Sequence, residues 1–268
     1  MKFFPTLLTA LLLPLCAAAQ PDDYEAYFHK LNDSVRWKTA MQDNGRTNPW
    51  QKNWFLDGKL ASVENIRRGI FFSAGPTPAS DADHSVLWTK RSFEGDIKIE
   101  YDFTRIDDLD RFVNILYIQA EGSGEPGYDK DISLWSDKRE VPAMKMYFNH
   151  MNAIHISYAA YENDPVAVNP DYIRGRRYMP ERGKGLSGTD LTPEYLSPVK
   201  FLTGETYRIT VLKVGKEVMM EVVGPQAETH YYYFSAEKFP PVTSGRVGLR
   251  QMSGRKAVYS DIRIYTSK

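Results

Sequence analysis

The polar residues between positions 145 and 161 are of the types that general acid–base chemistry uses. Apolar and polar residues alternate there, which predicts two adjoining strands. Their polar faces carry Lys145, Tyr147 and Asn149 on the first strand, and His155, Ser157 and Tyr161 on the second. Since histidine titrates near neutrality, His155 can serve as a base, and Tyr147 or Tyr161 as the acid. Removing the proton beside a uronate carboxylate and protonating the leaving oxygen is the chemistry of a polysaccharide lyase. The alternative is that His155 and Tyr147 are structural residues on a convex sheet face.

The predicted substrate-binding residues are those that could hold a negative charge or contact a sugar ring: Lys145, Asn149, Arg174, Arg176, Arg177, Tyr178, Gln119, Glu121 and Trp135. Guanidinium groups bind carboxylates and sulfates with two parallel hydrogen bonds. The arginines fall within residues 164–198, whose repeated prolines predict a long surface loop. Gln119 and Glu121 end a predicted strand before a glycine-rich loop, where Trp135 could stack on a pyranose ring. A solvated charged loop and a Trp135 that fills the core are the alternatives.

The elements that must position these side chains are β-strands. Between residues 203 and 266, apolar residues recur at every second position in three segments, as in Tyr207, Ile209 and Val211. This period is typical of half-buried strands, and glycine-containing turns separate the segments. Short alternating strands joined by turns predict an all-β fold, a two-sheet antiparallel β sandwich.

A pair of carboxylates would indicate a glycoside hydrolase instead of a lyase. Glu100 and Asp102 begin the alternating acidic pattern that places two catalytic acids in one cleft, but the last acid of that pattern is missing. The two residues are therefore more consistent with a solvated strand face. Glu100 together with Glu121 is a weaker candidate acid pair.

Composition favours a folded domain whose partner is an oligo- or polysaccharide. The hydrophobic share is 42%, the aromatic share is 13% and the formal net charge is +0. We therefore expect neither nucleic acid nor membrane insertion, and the sequence specifies no oligomeric state. We expect no cofactor. Asp107, Asp108 and Asp110 could offer oxygen ligands to calcium, but a turn accounts for them better, and the histidines lack zinc-site spacing.

The N-terminus has the pattern of a secretory signal peptide. A basic residue precedes an apolar stretch, and residues 17–19, all alanine, provide small residues before a cleavage site. We expect residues 1–19 to be removed and the protein to be secreted or periplasmic. Lipidation of Cys16 is less favoured because the residue before it is not small. Residues 20–55 are predicted to pack on the sandwich that residues 56–268 form.

Several segments resemble the concanavalin A-like (galectin-like) jelly roll. The similarity opens at residues 87–90 and 93–96 and closes at residues 245–250 and 259–264. More narrowly, residues 145–151 and 154–158 are similar to the YesU-like family of uncharacterised proteins. The resemblance implies a two-sheet jelly roll linked to the breakdown of plant or algal polysaccharides that contain uronic acid. A non-catalytic, lectin-like module is the main alternative to a lyase, and a glycoside hydrolase is the second.

Overall fold

The computed structural model describes residues 23–161, 171–196 and 198–267. Within these ranges the chain forms sixteen strands, two α-helices and four 3-10 segments. The strands are β1 (Trp37–Asp43), β2 (Trp54–Asp57), β3 (Ser62–Ile66), β4 (Gly69–Ser73), β5 (Ser85–Thr89), β6 (Phe93–Glu94), β7 (Ile97–Arg105), β8 (Phe112–Gly122), β9 (Met151–Tyr161), β10 (Tyr172–Tyr178), β11 (Tyr195–Leu196), β12 (Thr206–Val214), β13 (Glu217–Val223), β14 (Thr229–Ser235), β15 (Ser244–Gln251) and β16 (Lys256–Ser267). The helices are α1 (Tyr24–Asp33) and α2 (Met144–His150), and the 3-10 segments are Trp50–Lys52, Asp81–Asp83, Ile132–Arg139 and Pro180–Arg182. The predicted signal peptide, residues 1–19, lies outside the described residues.

The strands form two antiparallel sheets. In the first sheet the order is β14-β13-β12-β7-β16-β4-β3, and β1 also pairs with β16. In the second sheet the order is β11-β10-β9-β8-β15-β5-β2, and β6 also pairs with β15. The predicted two-sheet antiparallel sandwich is therefore confirmed.

Alternate residues of the two sheets fill the space between them. Strand β7 of the first sheet buries Ile99 and Tyr101 in this core, while its intervening residues are only partly buried. From the second sheet, β9 contributes Ile154 and Ile156 to the same core. Burial of apolar surface on this scale is the main stabilising term of such a sandwich, at about 25 cal/mol per Å².

Helix α1 packs on the outer face of the first sheet. Asp23 caps its N-terminus, since the Asp23 side chain accepts a hydrogen bond from the backbone N–H of Ala26 at 2.9 Å. Phe28 and Leu31 are buried against a cluster that contains Leu212 of β12. Strand β1 lies within residues 20–55 and β2 begins there, so both sheets of the sandwich include part of the segment predicted to pack against it.

The strand prediction for residues 143–149 is wrong, because residues 144–150 form helix α2. The alternation of Met, Lys, Met, Tyr and Phe fits a strand, but in so short a segment it does not exclude a helix. Lys145, Tyr147 and Asn149 consequently do not form a polar strand face beside His155. The following strand prediction is confirmed, as β9 covers Met151–Tyr161.

The loop prediction for residues 164–198 is also incomplete, because residues 172–178 form strand β10 next to β9. The sequence of this strand shows little alternation of apolar and polar residues, because its outer face is cationic and its inner face includes Gly175. A Cβ atom on Gly175 would lie 2.9 Å from the ring of Phe234, so glycine permits close approach of the other sheet. Arg174 and Arg176 are therefore held on a strand and not on a loop.

Candidate functional site

The outer face of the second sheet brings side chains of three neighbouring strands, most of them polar, into two rows. One row consists of Ile115, Ser157 and Arg174, and the next of Tyr117, His155 and Arg176, on β8, β9 and β10 respectively. Because residues paired across strands lie about 5 Å apart, each row places its side chains in mutual contact range. The antiparallel register, and not nearness in sequence, therefore assembles His155 with the arginines.

Helix α2 and the 3-10 segment Ile132–Arg139, together called the covering segment here, lie over one half of this face. Their side chains Ile132, Trp135 and Tyr147 join a buried cluster with Trp88 and Tyr117 of the sheet. Tyr147 stacks on Tyr117 with ring centroids 5.8 Å apart. This half of the face is thus closed by packing.

A buried ion pair anchors the covering segment to the sheet. Asp57 Oδ2 accepts hydrogen bonds from Arg139 Nε at 2.5 Å, Trp88 Nε1 at 2.7 Å and the Tyr147 hydroxyl at 3.0 Å. Burial raises the pKa of Asp57, and the charge of Arg139 opposes that rise. Tyr147 is one of these three donors, so its contact with Asp57 is structural.

The other half of the outer face is open and forms a cleft of about 360 Å³. Its lining residues are Arg111, Phe112, Val113, Ile115, Met144, His155, Ser157, Tyr161, Tyr172, Arg174, Arg176, Leu186 and Met252. The cleft combines an apolar side with three guanidinium groups and two tyrosines. A volume of this size accommodates a small ligand such as one or two sugar units.

His155 lies on the floor of the cleft and is 3% exposed. Its Nδ1 is 2.5 Å from the Tyr178 hydroxyl, and its Nε2 is 3.0 Å from Ser157 Oγ. Burial, followed by the charges of Arg176, Arg250 and Arg174, holds the pKa of His155 well below its ordinary value of 6.5. The imidazole is therefore neutral at physiological pH.

Two arginines of β10 are held by carboxylates at the rim of the cleft. Arg174 Nε donates to Glu194 Oε1 at 2.5 Å, and its guanidinium lies 4.3 Å from the centre of the Tyr172 ring. Arg176 pairs with Asp190 at 3.0 Å. Both guanidinium groups are partly exposed and face the cleft, so they are positioned in advance for an anionic ligand.

Tyr161 lines the cleft, but its hydroxyl donates a hydrogen bond to the backbone carbonyl of Phe201 at 2.7 Å. Burial raises the pKa of Tyr161, and the neighbouring charges of Arg105 and Arg255 oppose that rise. The Arg105 guanidinium lies 4.4 Å from the ring centre. Tyr161 is thus a neutral phenol, and its proton is already used in a hydrogen bond within the protein.

The remaining residues expected around Tyr147 lie outside the cleft. Lys145 is exposed on α2. Asn149 Oδ1 accepts a hydrogen bond from the backbone N–H of Gly185 at 2.7 Å, which ties α2 to the loop after β10. Tyr178 is fully buried on the same sheet face, under the covering segment, and contacts the lining of the cleft through His155.

Arg177 and Glu121 lie together in a different place, a smaller pocket of about 210 Å³. The side chain of Arg177 points away from Arg176, as alternation along β10 requires, and donates to Asn152 Oδ1 at 3.2 Å. Burial lowers the pKa of Arg177 to about 10. Glu121 accepts a hydrogen bond from the Ser244 hydroxyl. The structure therefore separates Arg177 from Arg174 and Arg176.

Gln119 and Trp135 are buried. The Gln119 amide donates to the carbonyls of Phe93 and Gly95, each at 3.0 Å. Trp135 is 2% exposed and its indole N–H donates to the carbonyl of Asp129 at 2.9 Å. Neither side chain lines the cleft.

The candidate acid pair is divided between the two sheets. Glu100 lies on β7 of the first sheet and pairs with Arg208 at 3.1 Å, whereas Glu121 belongs to β8 of the second sheet. The structure does not bring these carboxylates together.

The aspartates considered as possible calcium ligands include Asp107, whose carboxylate accepts hydrogen bonds from protein donors. Its Oδ1 accepts from Arg105 Nε at 3.1 Å, and its Oδ2 accepts from Arg255 Nε at 3.1 Å and from the Lys256 N–H at 2.7 Å. Residues 23–161, 171–196 and 198–267 contain no group of three or more His, Cys, Asp or Glu side chains arranged to hold a metal ion. No helix in those ranges is long and apolar enough to span a membrane.

The cleft lining includes residues that the predicted site did not contain, among them Arg111, Tyr172, Leu186 and Met252. Arg111 directly precedes β8, where Phe112 has a positive φ of 66° and starts the strand with an irregular register. Tyr172 precedes Arg174 by two positions on β10, so period-two alternation could have placed it on the same face. Leu186 and Met252 carry no such signal because they reach the cleft from separate loops.

Comparison with known proteins identifies the family. Residues 50–264 match the family described as a domain of unknown function, DUF1961. The chain belongs to this family. No curated protein shows significant similarity to it.

Solved structures of the same fold include lectins. A galectin-like protein of unknown function from Bacillus subtilis is 18% identical, with a TM-score of 0.66 over 87% of this chain and 100% of that one. The lectin UEA-II, solved with galactose, is 11% identical with a TM-score of 0.55 over 86% and 100%. A legume lectin-like domain from Entamoeba histolytica is 12% identical with a TM-score of 0.51 over 85% and 97%. The predicted concanavalin A-like jelly roll is thereby confirmed, and these likenesses concern the fold alone.

Proposed function

We propose that this protein binds an acidic, uronate-containing saccharide in the cleft on the outer face of its second sheet. The observation that carries the proposal is the convergence of Arg111, Arg174 and Arg176 on one cleft with two tyrosines. Guanidinium groups match carboxylates in shape and charge, and aromatic rings contact the apolar faces of sugars. Lectins among the structures of similar fold support the proposal by analogy. Export directed by residues 1–19 belongs to the same proposal, because polysaccharides of this kind lie outside the cell.

Binding accounts for the geometry better than β-elimination does. A base at His155 would have to become a cation in a buried position beside Arg174 and Arg176, and both its ring nitrogens already have hydrogen-bond partners. Tyr147 is fully buried on α2 and bonded to Asp57, so it is not available as the acid. The proposal is therefore a non-catalytic, lectin-like role.

The first prediction concerns Arg174→Gln. Loss of one charge-assisted contact should weaken the binding of galacturonate or glucuronate oligosaccharides about 10-fold. Isothermal titration calorimetry against these ligands and their neutral hexose counterparts measures the effect. Raising the salt concentration should also weaken uronate binding, since the attraction is partly solvent-exposed.

Arg182→Gln is the matched control, because Arg182 is exposed and lies outside the cleft. Equal weakening by both substitutions, or no uronate binding by the unaltered protein, would contradict the proposal. Ultraviolet absorbance from an unsaturated uronate product would show elimination and contradict a purely binding role.

A further inference from the structure

Three buried side chains form a hydrogen-bonded chain that ends at the cleft. Ser157, His155 and Tyr178 are 5%, 3% and 0% exposed. Ser157 Oγ lies 3.0 Å from His155 Nε2, and His155 Nδ1 lies 2.5 Å from the Tyr178 hydroxyl. Of the three, Ser157 and His155 line the cleft, whereas Tyr178 lies beside it, under the covering segment. The direction of the hydrogen bonds therefore decides what Ser157 presents to a ligand.

The phenol of Tyr178 sets that direction. Burial raises the pKa of Tyr178 well above 10, so its hydroxyl keeps its proton. That hydroxyl has two neighbours that could accept its proton: His155 Nδ1 at 2.5 Å and the hydroxyl of Tyr117. If Nδ1 carried the ring proton, Tyr178 would have to donate to Tyr117, and the buried hydroxyl proton of Tyr117 would then have no acceptor among the described residues. Tyr178 accordingly donates to Nδ1.

The charged form of His155 is disfavoured by its surroundings. The groups acting on it are its own desolvation and the guanidinium groups of Arg176, Arg250 and Arg174, all of which lower its pKa. The ring of Tyr117 packs edge-on at 5.9 Å and adds no negative charge. The single proton of the neutral ring then resides on Nε2 and is donated to Ser157 Oγ.

This arrangement leaves the hydroxyl proton of Ser157 without a protein acceptor in the part of the chain that the structure describes. Resting on the proposed function, we propose that Tyr178 and His155 are positioning residues that fix the Ser157 hydroxyl as a hydrogen-bond donor to the carboxylate of the bound sugar. Arg174, which is directly opposite Ser157 on β10, supplies the neighbouring donors.

A cleft floor that presents hydrogen-bond donors discriminates between acidic and neutral sugars. A carboxylate only accepts hydrogen bonds, so it satisfies Ser157 and the arginines together. The hydroxymethyl group of a neutral hexose offers one oxygen to several donors and leaves some of them unpaired, and such unpaired groups are the strongest source of discrimination. The series of hydrogen bonds from Tyr178 to Ser157 thus makes the cleft specific for carboxylates.

The position of the imidazole proton can be tested directly by NMR. In protein labelled with ¹⁵N at histidine, His155 should show a protonated Nε2 and an unprotonated Nδ1 from about pH 5 to pH 8. A Tyr178→Phe variant should lose this preference for one tautomer. A protonated Nδ1, or an imidazolium signal, in the unaltered protein would overturn the inference.

The contribution of Ser157 to specificity is tested by calorimetry with glucuronate and glucose saccharides. Ser157→Ala should weaken glucuronate binding about 10-fold while leaving the weak glucose binding unchanged, and Ser157→Thr should restore it because the hydroxyl is retained. Thermal unfolding of each variant shows whether its fold is intact.

The outcomes separate the inference from the proposed function. If the unaltered protein prefers glucuronate but Ser157→Ala has the same preference, the positioning inference fails and the proposed function stands. If the unaltered protein binds no uronate, both fail.

Discussion

At the scale of single residues, cationic side chains of this protein serve two different purposes. Arg174 and Arg176 remain partly exposed at the cleft, where a ligand can reach them. Lys213 is 2% exposed and donates to three neutral oxygens: the carbonyls of Gly95 at 2.9 Å and Val242 at 2.8 Å, and Gln119 Oε1 at 2.9 Å. Burial lowers the pKa of Lys213 to about 8. It is a structural cation that joins β12 to two loops and β8.

The substitution Lys213→Met tests this role. It removes the Lys213 donor from three oxygens, of which the Gly95 carbonyl keeps a hydrogen bond from the Gln119 amide, so we expect the free energy of unfolding to fall by about 2 kcal/mol. Urea denaturation followed by circular dichroism measures the loss. Lys38→Met, at an exposed position of β1, is the control and should be close to neutral. Equal stability of the two variants would show that the Lys213 contacts contribute nothing net.

The contacts around Lys213 also explain the structural role of Gln119. It has a positive φ of 50° within β8, at the point where the pairing with β9 becomes irregular. Its amide N–H₂ donates to the carbonyls of Phe93 and Gly95, and its oxygen accepts a hydrogen bond from Lys213 Nζ. A polar residue at a strand end looked like a sugar contact, but the spatial partners of Gln119 lie on other strands and loops.

At the scale of elements, helix α2 decides what half of the outer sheet face can do. It carries Tyr147 onto Asp57, and the buried aromatic rings beneath it leave no room for a ligand there. The cleft is therefore confined to the part of β8, β9 and β10 that the covering segment leaves open. Met144 of α2 forms part of its edge.

The substitution Tyr147→Phe tests whether the role of Tyr147 is structural or catalytic. The ring stays in place while the hydrogen bond to Asp57 is lost, so we expect a loss of about 1–2 kcal/mol in the free energy of unfolding. Uronate affinity should remain that of the unaltered protein. Thermal denaturation and calorimetry on the same preparation measure both quantities. A large loss of affinity or activity with unchanged stability would instead place Tyr147 in the ligand site.

At the scale of the whole molecule, two buried histidines make the fold sensitive to acid. His84 Nδ1 lies 3.0 Å from Arg250 Nη2, so it must be unprotonated to accept that hydrogen bond. Burial, and next the charge of Arg250, lower the pKa of His84 from 6.5 to about 4. The pKa of His155 is lowered in the same direction. In the folded protein both side chains remain neutral at pH values where an unfolded chain would bind protons.

The free energy of unfolding should therefore fall as the pH drops from about 6.5 towards 4, and should gain nothing from these histidines above about pH 7. Over that window the unfolded state binds more protons than the folded state, so acidification favours unfolding. Urea denaturation across a pH series measures the slope. The variant His84→Gln, whose side-chain oxygen can accept from Arg250 without titrating, should show a shallower slope. An unchanged slope would mean that His84 is not responsible.

Uronate binding should depend on pH differently from stability. Because His155 stays neutral, affinity should be constant from about pH 5 to pH 8 and should decline only as the ligand carboxylate becomes protonated, near pH 3 to 4. Calorimetry at several pH values measures this. A binding transition near pH 6.5 would indicate that His155 titrates in the cleft.

The amino-acid sequence was sufficient to predict the sandwich and part of the site. Period-two alternation in segments such as Tyr207, Ile209 and Val211 specifies which faces are buried, and burial of one face is what makes a strand recognisable. His155 and Ser157 were correctly placed on one face of β9 because alternation is a local property.

The composition of the cleft required the fold. Tyr147 meets Asp57 across 90 positions of the chain, and a short alternating segment does not reveal that it is a helix. Arg176 faces the cleft and Arg177 the opposite side, because β10 is a strand whose pairing with β9 is set by tertiary contacts. Local sequence patterns indicate which side chains share one face of a strand. The partner that each face meets depends on contacts between residues far apart in the chain, and only packing of the complete sandwich selects them.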